Sequence, residues 1–454
     1  MKIIIVGAGE VGYHIASKLS KENKDVVLID LDAERLKQVS ETLDVQTLHG
    51  SGASPTLLRA AGIESADMII AVTDSDEANL ISCLMSRLIS AGTTRIARIR
   101  NQDYFDIEGI KTGEVLGLSL VINPEIEVVK KILSLLEVPG AVDVVDFADG
   151  LVRLIGLKIN VNSHLAGLTM AELREIDPEQ HILIAAIYRN NSVIIPRGDT
   201  RLEAGDLVYL PARPEEVERI LQIFGWTSTT VRNIFIVGGG QVGRQLALAL
   251  EDQPVTVKLI ERKAEICREL GEILNKTIVL KGEGTDQSLL EEENVADADC
   301  FIALTNDEEE NVLACLQAKQ LGVKQAITRV NKVSYINLVT AIGLETVVSS
   351  RLSAISVILQ HIRRGKVVSV ATLKGEDAEA IEFVALESSD IVGKTIEQIK
   401  FPHQALIAAI VRENHVIIPR GQTIIQPDDR IIIFTRREAV SKVEKAFMVK
   451  LEYF

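Results

Sequence analysis

Long apolar segments, cysteine and processing signals are scarce in this chain of 454 residues. No apolar run approaches the roughly 18 residues that a membrane-spanning helix requires. Strand-like residues begin at Lys2, without a signal-peptide pattern. The four cysteines (Cys83, Cys267, Cys300 and Cys315) form no C-x-x-C pair, and no histidine lies at metal-binding spacing from them. We therefore expect a soluble, cytoplasmic protein that holds no metal and whose cysteines are small buried hydrophobic residues.

A net positive charge is also absent. The chain has 49 Lys and Arg against 64 Asp and Glu, which gives a formal net charge of -15. An acidic surface repels the phosphates of nucleic acids and of anionic lipids. This charge balance argues against a nucleic-acid partner and against direct insertion into a membrane, so any membrane contact is expected to run through another protein.

The sequence contains two copies of the same pair of segments. Residues 3–19 (IIIVGAGEVGYHIASKL) match residues 234–250 (IFIVGGGQVGRQLALAL), at an offset of 234 − 3 = 231. A different repeat follows each of these, because residues 182–210 resemble residues 405–434. The order A, B, A, B indicates a duplicated pair of domains rather than a solenoid, whose periods are much shorter.

The A segments predict an α/β fold with a doubly wound parallel sheet. Short apolar runs such as MIIAV suit strands that are buried on both faces, and helical periodicity separates them. The B segments are shorter and rich in strands, so each predicts a small α+β lobe. The strand candidates in the first A segment are 2–6, 26–30, 45–48, 68–72 and 95–99.

A connecting helix is predicted after each A segment. The first begins with Asn-Pro and ends with Pro-Gly, and the apolar residues of the second recur at i, i+3, i+7 and i+10 from Leu352. This apolar face could pack on its own domain or on a second subunit. The predicted boundaries are 1–123 for the first A lobe, 124–142 for its connecting helix, 143–227 for the first B lobe, 232–348 for the second A lobe, 349–367 for its connecting helix and 368–453 for the second B lobe.

Glycine spacing in the first A lobe is typical of a dinucleotide site. Gly7, Gly9 and Gly12 lie directly after a strand and at the start of a helix, where they allow a tight turn, close approach of a pyrophosphate and close helix–strand packing. The helix N-terminus offers unpaired N–H groups to the phosphates. Asp30 ends the second strand, 30 − 12 = 18 residues after Gly12. Its carboxylate would accept from ribose hydroxyls and repel a 2′-phosphate, which favours NAD over NADP but does not separate NAD from ATP or ADP.

The second A lobe repeats this pattern at the same spacing. Gly238, Gly240 and Gly243 follow a strand, and Glu261 lies 261 − 243 = 18 residues after Gly243. Two matches at identical spacing indicate two nucleotide sites, because chance does not reproduce the whole arrangement twice.

Polar residues follow the later strands of both A lobes. Thr73 and Asp74 come at the carboxyl end of the fourth strand, and Arg98 ends the fifth. The arginine could clamp a phosphate through its planar guanidinium, or it could form a salt bridge to the acidic surface. The counterparts in the second copy are Thr305, Asn306 and Arg329, and each lobe has an asparagine in the following helix, Asn79 or Asn311.

A reaction centre is missing from both halves. A dehydrogenase needs a general acid or base beside the nicotinamide, and the chain has no Tyr-x-x-x-Lys pair and no histidine with a carboxylate partner at suggestive spacing. Two cofactor sites without visible catalytic groups favour sensing over catalysis. The alternative is a cytoplasmic NAD-dependent oxidoreductase with a divergent active site.

At these residues the chain resembles the RCK (KTN) family, with each A–B pair similar to one module that regulates potassium conductance. Two modules in one chain are similar, over essentially all 454 residues, to the peripheral nucleotide-binding subunits of bacterial Trk potassium uptake systems. The resemblance implies a regulatory subunit and not an enzyme, with NAD/NADH or ATP/ADP as ligand. It also implies a homotetramer at the cytoplasmic face of the inner membrane, bound to a membrane potassium transporter subunit of the TrkH/TrkG type.

The resemblance further implies the positions that bind the nucleotide. The second copy departs from the first at Glu261, where the carboxylate is longer, and at Asn306, where the charge of Asp74 is lost. The implied residues are Gly7, Ala8, Gly9, Glu10, Val11, Asp30, Thr73, Asp74 and Arg98 in the first lobe, and Gly238, Gly239, Gly240, Gln241, Val242, Glu261, Thr305 and Arg329 in the second.

Overall fold

The computed structural model forms two compact units, residues 1–127 with 350–362, and residues 128–349 with 363–454. No helix of the part that it describes is long and apolar enough to cross a membrane. The end predicted for the second connecting helix (363–366) and the end of the second B lobe (448–453) lie outside the described residues. The structure describes residues 1–104, 113, 116–177, 182–190, 192–226, 230–362, 367–372, 378–399 and 401–447.

The first A lobe contains a six-stranded parallel sheet in the order β3-β2-β1-β4-β5-β6. This is the doubly wound order, in which the chain reverses direction beside β1, and it confirms the predicted fold class. The elements are β1 (Lys2–Val6), α1 (Glu10–Lys21), β2 (Asp25–Asp30), α2 (Ala33–Thr42), β3 (Gln46–His49), α3 (Pro55–Ala60), β4 (Met68–Ala71), α4 (Asp76–Ile89), β5 (Thr94–Arg98), β6 (Leu120–Ile122) and, after the sheet, α5 (Pro124–Glu137).

The first B lobe is a five-stranded antiparallel sheet in the order β10-β9-β11-β8-β7 with two helices. The Thr169 hydroxyl and the Glu172 carboxylate close a capping box at the start of its first helix. The elements are β7 (Ala141–Phe147), β8 (Val152–Lys158), α6 (Met170–Ile176), β9 (Ala186–Arg189), β10 (Ser192–Ile194), β11 (Leu207–Ala212) and α7 (Val217–Ile223).

The second A lobe repeats the parallel order as β14-β13-β12-β15-β16-β17. The helix that follows its last strand is part of the first compact unit. The elements are β12 (Asn233–Val237), α8 (Gln241–Leu250), β13 (Thr256–Glu261), α9 (Ala264–Ile273), β14 (Ile278–Lys281), α10 (Gln287–Glu292), β15 (Cys300–Ala303), α11 (Glu308–Gln320), β16 (Gln325–Arg329), α12 (Val333–Ala341), β17 (Thr346–Val348) and α13 (Ser350–Ile362).

The second B lobe is again a five-stranded sheet, in the order β18-β19-β22-β20-β21. Its apolar core joins that of the first B lobe, since the Tyr209 and Phe434 rings lie 6.3 Å apart between their centroids. The elements are β18 (Val367–Thr372), β19 (Ala378–Val384), β20 (Ala405–Arg412), β21 (His415–Ile417), β22 (Arg430–Arg436) and α14 (Val440–Ala446).

Both faces of the central strand β1 are buried. Ile3 and Ile5 belong to one hydrophobic cluster of the first A lobe, while Ile4 and Val6 belong to the cluster on the opposite face. The alternation follows from the two-residue period of a strand. Because helices cover both faces, β1 holds the glycine turn that follows it in a fixed position.

The second connecting helix packs on the first A lobe and not on the A lobe that precedes it. Helix α13, which follows the second A lobe, packs along α1 of the first A lobe. Ile358 and Leu359 of α13 share a hydrophobic cluster with Ile15 and Leu19 of α1, and all four side chains are buried. Within the chain, the apolar face therefore packs on the other A lobe.

Helix α5 reaches the second A lobe in the corresponding way. Val128 and Ile132 of this helix are buried in one cluster with Val242 and Leu246 of α8. Each A lobe is thus completed by a helix that the other half of the sequence encodes.

The cysteines follow the expectation except at one position. Cys83, Cys300 and Cys315 are buried, while Cys267 is half-buried. Burial raises the pKa of the Cys83 and Cys315 thiols to about 12, which keeps both protonated. These residues act as apolar core side chains.

Candidate functional site

In the glycine turn of the first A lobe, two of the three glycines have no room for a side chain, and the third faces open space. Gly7 has a φ of +108°, and a Cβ there would lie 3.0 Å from the Thr73 nitrogen. A Cβ on Gly12 would lie 1.8 Å from the Gly7 carbonyl oxygen. A Cβ on Gly9 would meet no atom of the described residues within 4 Å. Open space therefore lies beside the N-terminus of α1, where a phosphate group is favoured.

Asp30 fixes the glycine turn to the end of β2. Its Oδ2 accepts from the Ala8 backbone nitrogen at 2.5 Å, and its Oδ1 accepts from the Asp32 nitrogen at 2.8 Å. Each carboxylate oxygen keeps a further lone pair for a ligand. The sequence placed Asp30 at this strand end, but its hydrogen bond to the turn is found only in the structure.

Asn79 joins the ends of two strands at the same edge of the sheet. Its Oδ1 accepts from the Thr73 nitrogen at 2.9 Å and from the Thr73 hydroxyl at 2.7 Å. Its Nδ2 donates to the carbonyl oxygens of Thr73 and Arg98, at 3.1 and 2.8 Å. The side chain is fully buried. Sequence reasoning placed Asn79 in a helix but gave it no role, since an asparagine four residues into a helix carries no pattern of its own.

We predict that Asn79→Ala lowers the free energy of unfolding of the first A lobe by roughly 2–4 kcal/mol, because buried backbone groups of Thr73 and Arg98 lose their partners. Hydrogen exchange measured by mass spectrometry reports this loss as faster exchange in β4 and β5. The control is Asn101→Ala, which removes an exposed asparagine and should change exchange little. Equal protection in both variants would contradict the clamping role.

Arg98 lies beside Asp74 at the carboxyl end of β5. The Nη1 and the Asp74 Oδ1 are 3.3 Å apart, and the arginine side chain is 16% exposed against 84% for the aspartate. Burial lowers the pKa of Arg98, and the charge of Arg100 lowers it further. The Nε of Arg98 is buried without a hydrogen-bond partner among the described residues. The salt bridge predicted as one alternative is present, and the guanidinium retains a donor for an anion.

The second A lobe builds the same glycine turn. Gly238 has a φ of +101°, and a Cβ on Gly243 would lie 1.9 Å from the Gly238 carbonyl oxygen. A Cβ on Gly240, the counterpart of Gly9, would find no described atom within 4 Å. The turn at α8 is therefore open at the equivalent point.

Glu261 reaches the second turn with its longer side chain. Its Oε2 accepts from the Gly239 nitrogen at 2.8 Å and its Oε1 from the Lys263 nitrogen at 2.8 Å. The residue is 8% exposed. A Cβ on Gly239 would lie 2.6 Å from Leu270 Cδ1, so an alanine here, as at Ala8 of the first copy, would require the Leu270 side chain to move. The added methylene is accommodated by a smaller residue in the turn.

Asn311 and Arg329 repeat the remaining contacts of the site. Asn311 accepts from the Thr305 nitrogen at 2.8 Å and donates to the Arg329 carbonyl oxygen at 3.1 Å. The Arg329 Nη1 donates to the Asn306 Oδ1 at 3.4 Å, so a neutral partner replaces Asp74. The second site accordingly carries one negative charge less than the first at this strand end.

The remaining predicted residues lie at the helix starts. Val11 and Val242 are buried, so only their backbone can face a ligand, while Glu10 and Gln241 are the exposed first residues of α1 and α8. Each site thus combines free helix N–H groups and a carboxylate at the glycine turn with a guanidinium at the carboxyl end of β5 or β16. Within the described ranges, no group of three or more His, Cys, Asp or Glu side chains could hold a metal ion.

Family profiles match most of the chain. The TrkA-N domain profile matches residues 3–124 and 234–350, which are the two A lobes. The TrkA-C domain profile matches residues 154–225 and 380–448, which lie in the two B lobes.

Individual proteins match over the full length. The chain is 39% identical to the Trk system potassium uptake protein TrkA of Halomonas elongata over 458 aligned positions, covering 100% of both chains. Its fold is that of the GsuK RCK domain crystal structure, with a TM-score of 0.60, 21% identity, and 98% of this chain and 94% of that one covered. A structure of the GsuK channel bound to NAD also has a TM-score of 0.60, with 20% identity and coverage of 98% and 78%.

Proposed function

The chain belongs to the TrkA family of Trk-system potassium uptake proteins, and we propose that it is a regulatory subunit that binds NAD(H) or ATP/ADP in both A lobes and gates a membrane transporter. The family is one of potassium uptake proteins and not of enzymes. The observation on which the proposal rests is the repeated set of groups at the carboxyl edge of each parallel sheet. These are a glycine without steric neighbours at a helix N-terminus, a carboxylate fixed to the glycine turn, and an arginine at the end of β5 or β16.

The chemistry of these residues fits an adenine nucleotide. The N-terminus of α1 and the guanidinium of Arg98 suit phosphates, and the free lone pairs of Asp30 suit the two hydroxyls of an adenosine ribose. A nucleotide phosphate would also give the buried Arg98 Nε an acceptor. The shared adenosine diphosphate part of NAD(H), ATP and ADP is the portion that these groups would contact.

Regulation requires that the nucleotide bind two conformations of the chain with different affinity. Each A lobe includes a helix from the other half of the sequence, α13 on the first lobe and α5 on the second. A change at one glycine turn therefore acts directly on a segment that continues into a B lobe. We propose that these helices transmit nucleotide binding to neighbouring subunits of a homotetramer and to a transporter subunit of the TrkH/TrkG type at the inner face of the membrane.

Co-purification tests the partner. A tagged copy of the chain, expressed in its own cells, should retain a membrane potassium transporter subunit after detergent extraction, and a tagged control protein should not. A chain that repeatedly purifies without any membrane protein would contradict the proposed partner, while leaving nucleotide binding to be judged by its own measurements.

The two strand-end carboxylates give a prediction for ligand binding. In the Asp30→Ala, Glu261→Ala double variant, affinity for NADH and ATP should fall roughly tenfold to hundredfold, because hydrogen bonds between a charged acceptor and the ribose are lost. Titration calorimetry on the full chain measures the change. Glu64→Ala, at an exposed carboxylate of the first A lobe, is the control. Unaltered affinity in the double variant would show that these carboxylates do not contact the nucleotide and would contradict the proposed site.

A further inference from the structure

An ion pair joins the first glycine turn to the second half of the sequence. Glu10 is the first residue of α1, and Arg351 is the second residue of α13. The Glu10 Oε2 and the Arg351 Nη1 are 2.8 Å apart. A cation encoded after the second A lobe therefore lies beside the open space of the first.

The geometry of this pair leaves the arginine incompletely satisfied. The Nη1 of Arg351 is buried and has no aligned hydrogen bond to any described residue, although the carboxylate is close. Guanidinium groups bind phosphate oxygens through two parallel hydrogen bonds, which a single off-axis carboxylate does not provide. Glu10 would meanwhile remain favourable at its position without the arginine, because acidic residues are stabilised at helix N-termini.

The duplicated sequence has other residues at both positions of this pair. Arg351 is the third residue after β17, and the third residue after β6 in the other half is Glu125. Gln241 stands where the first site has Glu10. The two connecting helices therefore differ in charge at this position, and the basic residue lies in the helix that packs on the first A lobe.

We propose that Arg351 is a phosphate-binding residue of the first nucleotide site, held by Glu10 until a nucleotide with a terminal phosphate takes its place. This inference rests on the proposed nucleotide binding and adds the ligand class. The first site selects nucleoside di- and triphosphates over a monophosphate, because the arginine adds attraction in proportion to phosphate charge. Binding also releases Glu10 from α13, which links the first site to the second half of the chain.

The test uses the full chain with Gly240→Asp, which blocks the second site, and measures affinities for ATP, ADP and AMP by calorimetry. Arg351→Gln should weaken ATP binding roughly tenfold to hundredfold and AMP binding much less. Glu10→Gln should strengthen ATP binding by up to about fivefold, the range of a partly exposed ion pair. Arg59→Gln removes an exposed arginine of the same lobe and should change nothing.

The two substitutions are expected to change ATP affinity in opposite directions, and this difference distinguishes phosphate binding by Arg351 from a purely structural role of the ion pair. If the pair only held α13 in place, both substitutions would weaken binding, or neither would, and all three nucleotides would be affected equally; either result overturns the inference. Arg351→Lys, which keeps the charge, should restore part of the ATP affinity, and failure to do so counts against it. Absence of any nucleotide binding in the unsubstituted chain would instead overturn the proposed function itself.

Discussion

We expect the Gly9→Asp chain to lose nucleotide binding in the first A lobe at least roughly 100-fold while the lobe stays folded. A side chain at this position points into space that no described residue fills within 4 Å. Gly9 caps α1 with a φ of -65° and a ψ of -179°, a conformation open to any residue, and aspartate is a favoured N-cap. Its carboxylate would take up the helix N–H groups and repel a phosphate. At a distance of about 4 Å the repulsion is of order 4 kcal/mol, so affinity should fall at least roughly 100-fold.

Titration of ATP or NADH into the Gly9→Asp chain measures this loss. Binding by the second lobe remains, so one class of sites should disappear while the other is unchanged. The matched control is Gly240→Asp, which should remove the other class and keep the first. Gly9→Asp chains that bind two nucleotides with normal affinity and have an unaltered thermal midpoint would contradict the proposed position of the phosphates.

Gly12→Ala, in contrast to Gly9→Asp, is expected to destabilise the fold of the first A lobe. The added Cβ would lie 1.8 Å from the Gly7 carbonyl oxygen, and backbone on both sides of the contact leaves no flexible side chain to move aside. Separating α1 from the end of β1 disturbs a cluster that also includes α13. We expect the first A lobe to lose about 3 kcal/mol of unfolding free energy, at the upper end of the cost of overpacking.

Urea unfolding with peptide-resolved hydrogen exchange measures this effect in the first lobe. Gly9→Ala, three residues earlier in the same motif, is the control and should leave stability within about 0.5 kcal/mol. Gly243→Ala should lower the unfolding free energy of the second lobe instead, because the added Cβ would lie 1.9 Å from the Gly238 carbonyl oxygen. Equal stability of the Gly9 and Gly12 variants would contradict the packing role assigned to the third glycine.

The fold was accessible from the sequence because its signals are local. Apolar runs such as Ile3–Val6 and the strand-ending Asp30 have a fixed spacing from the glycine motif, and the duplication supplies a second observation of each. The predicted first strand, 2–6, agrees with β1 (Lys2–Val6), and the parallel order follows from alternating strands and helices.

The contacts that complete each site were not accessible from the sequence, because they join residues far apart in the chain. Asn79 becomes informative only when β4 and β5 are adjacent, since one of its hydrogen bonds reaches Arg98. Arg351 lies 341 positions after Glu10 (351 − 10), and no local pattern connects them. The periodicity of α13 predicted an apolar face, but periodicity does not say which surface covers it.

The two glycine turns give the duplicated chain unequal sites. Asp74 and Arg351 bring opposite charges to the first site, whereas their counterparts in the duplicated sequence are Asn306 and Glu125. In the proposed function, this difference in charge would let the two sites prefer different nucleotides.

Counting the nucleotide that the chain binds and recovers is the most direct test of the claim that it senses nucleotides without consuming them. The full chain is equilibrated with excess NADH or ATP, separated from free ligand, and its bound nucleotide is released and analysed by chromatography. We predict up to two nucleotides per chain, recovered unchanged, one in each of the Gly9→Asp and Gly240→Asp variants, and none in the double variant. Nucleotide retained by the double variant, or recovered as a reaction product, would contradict it.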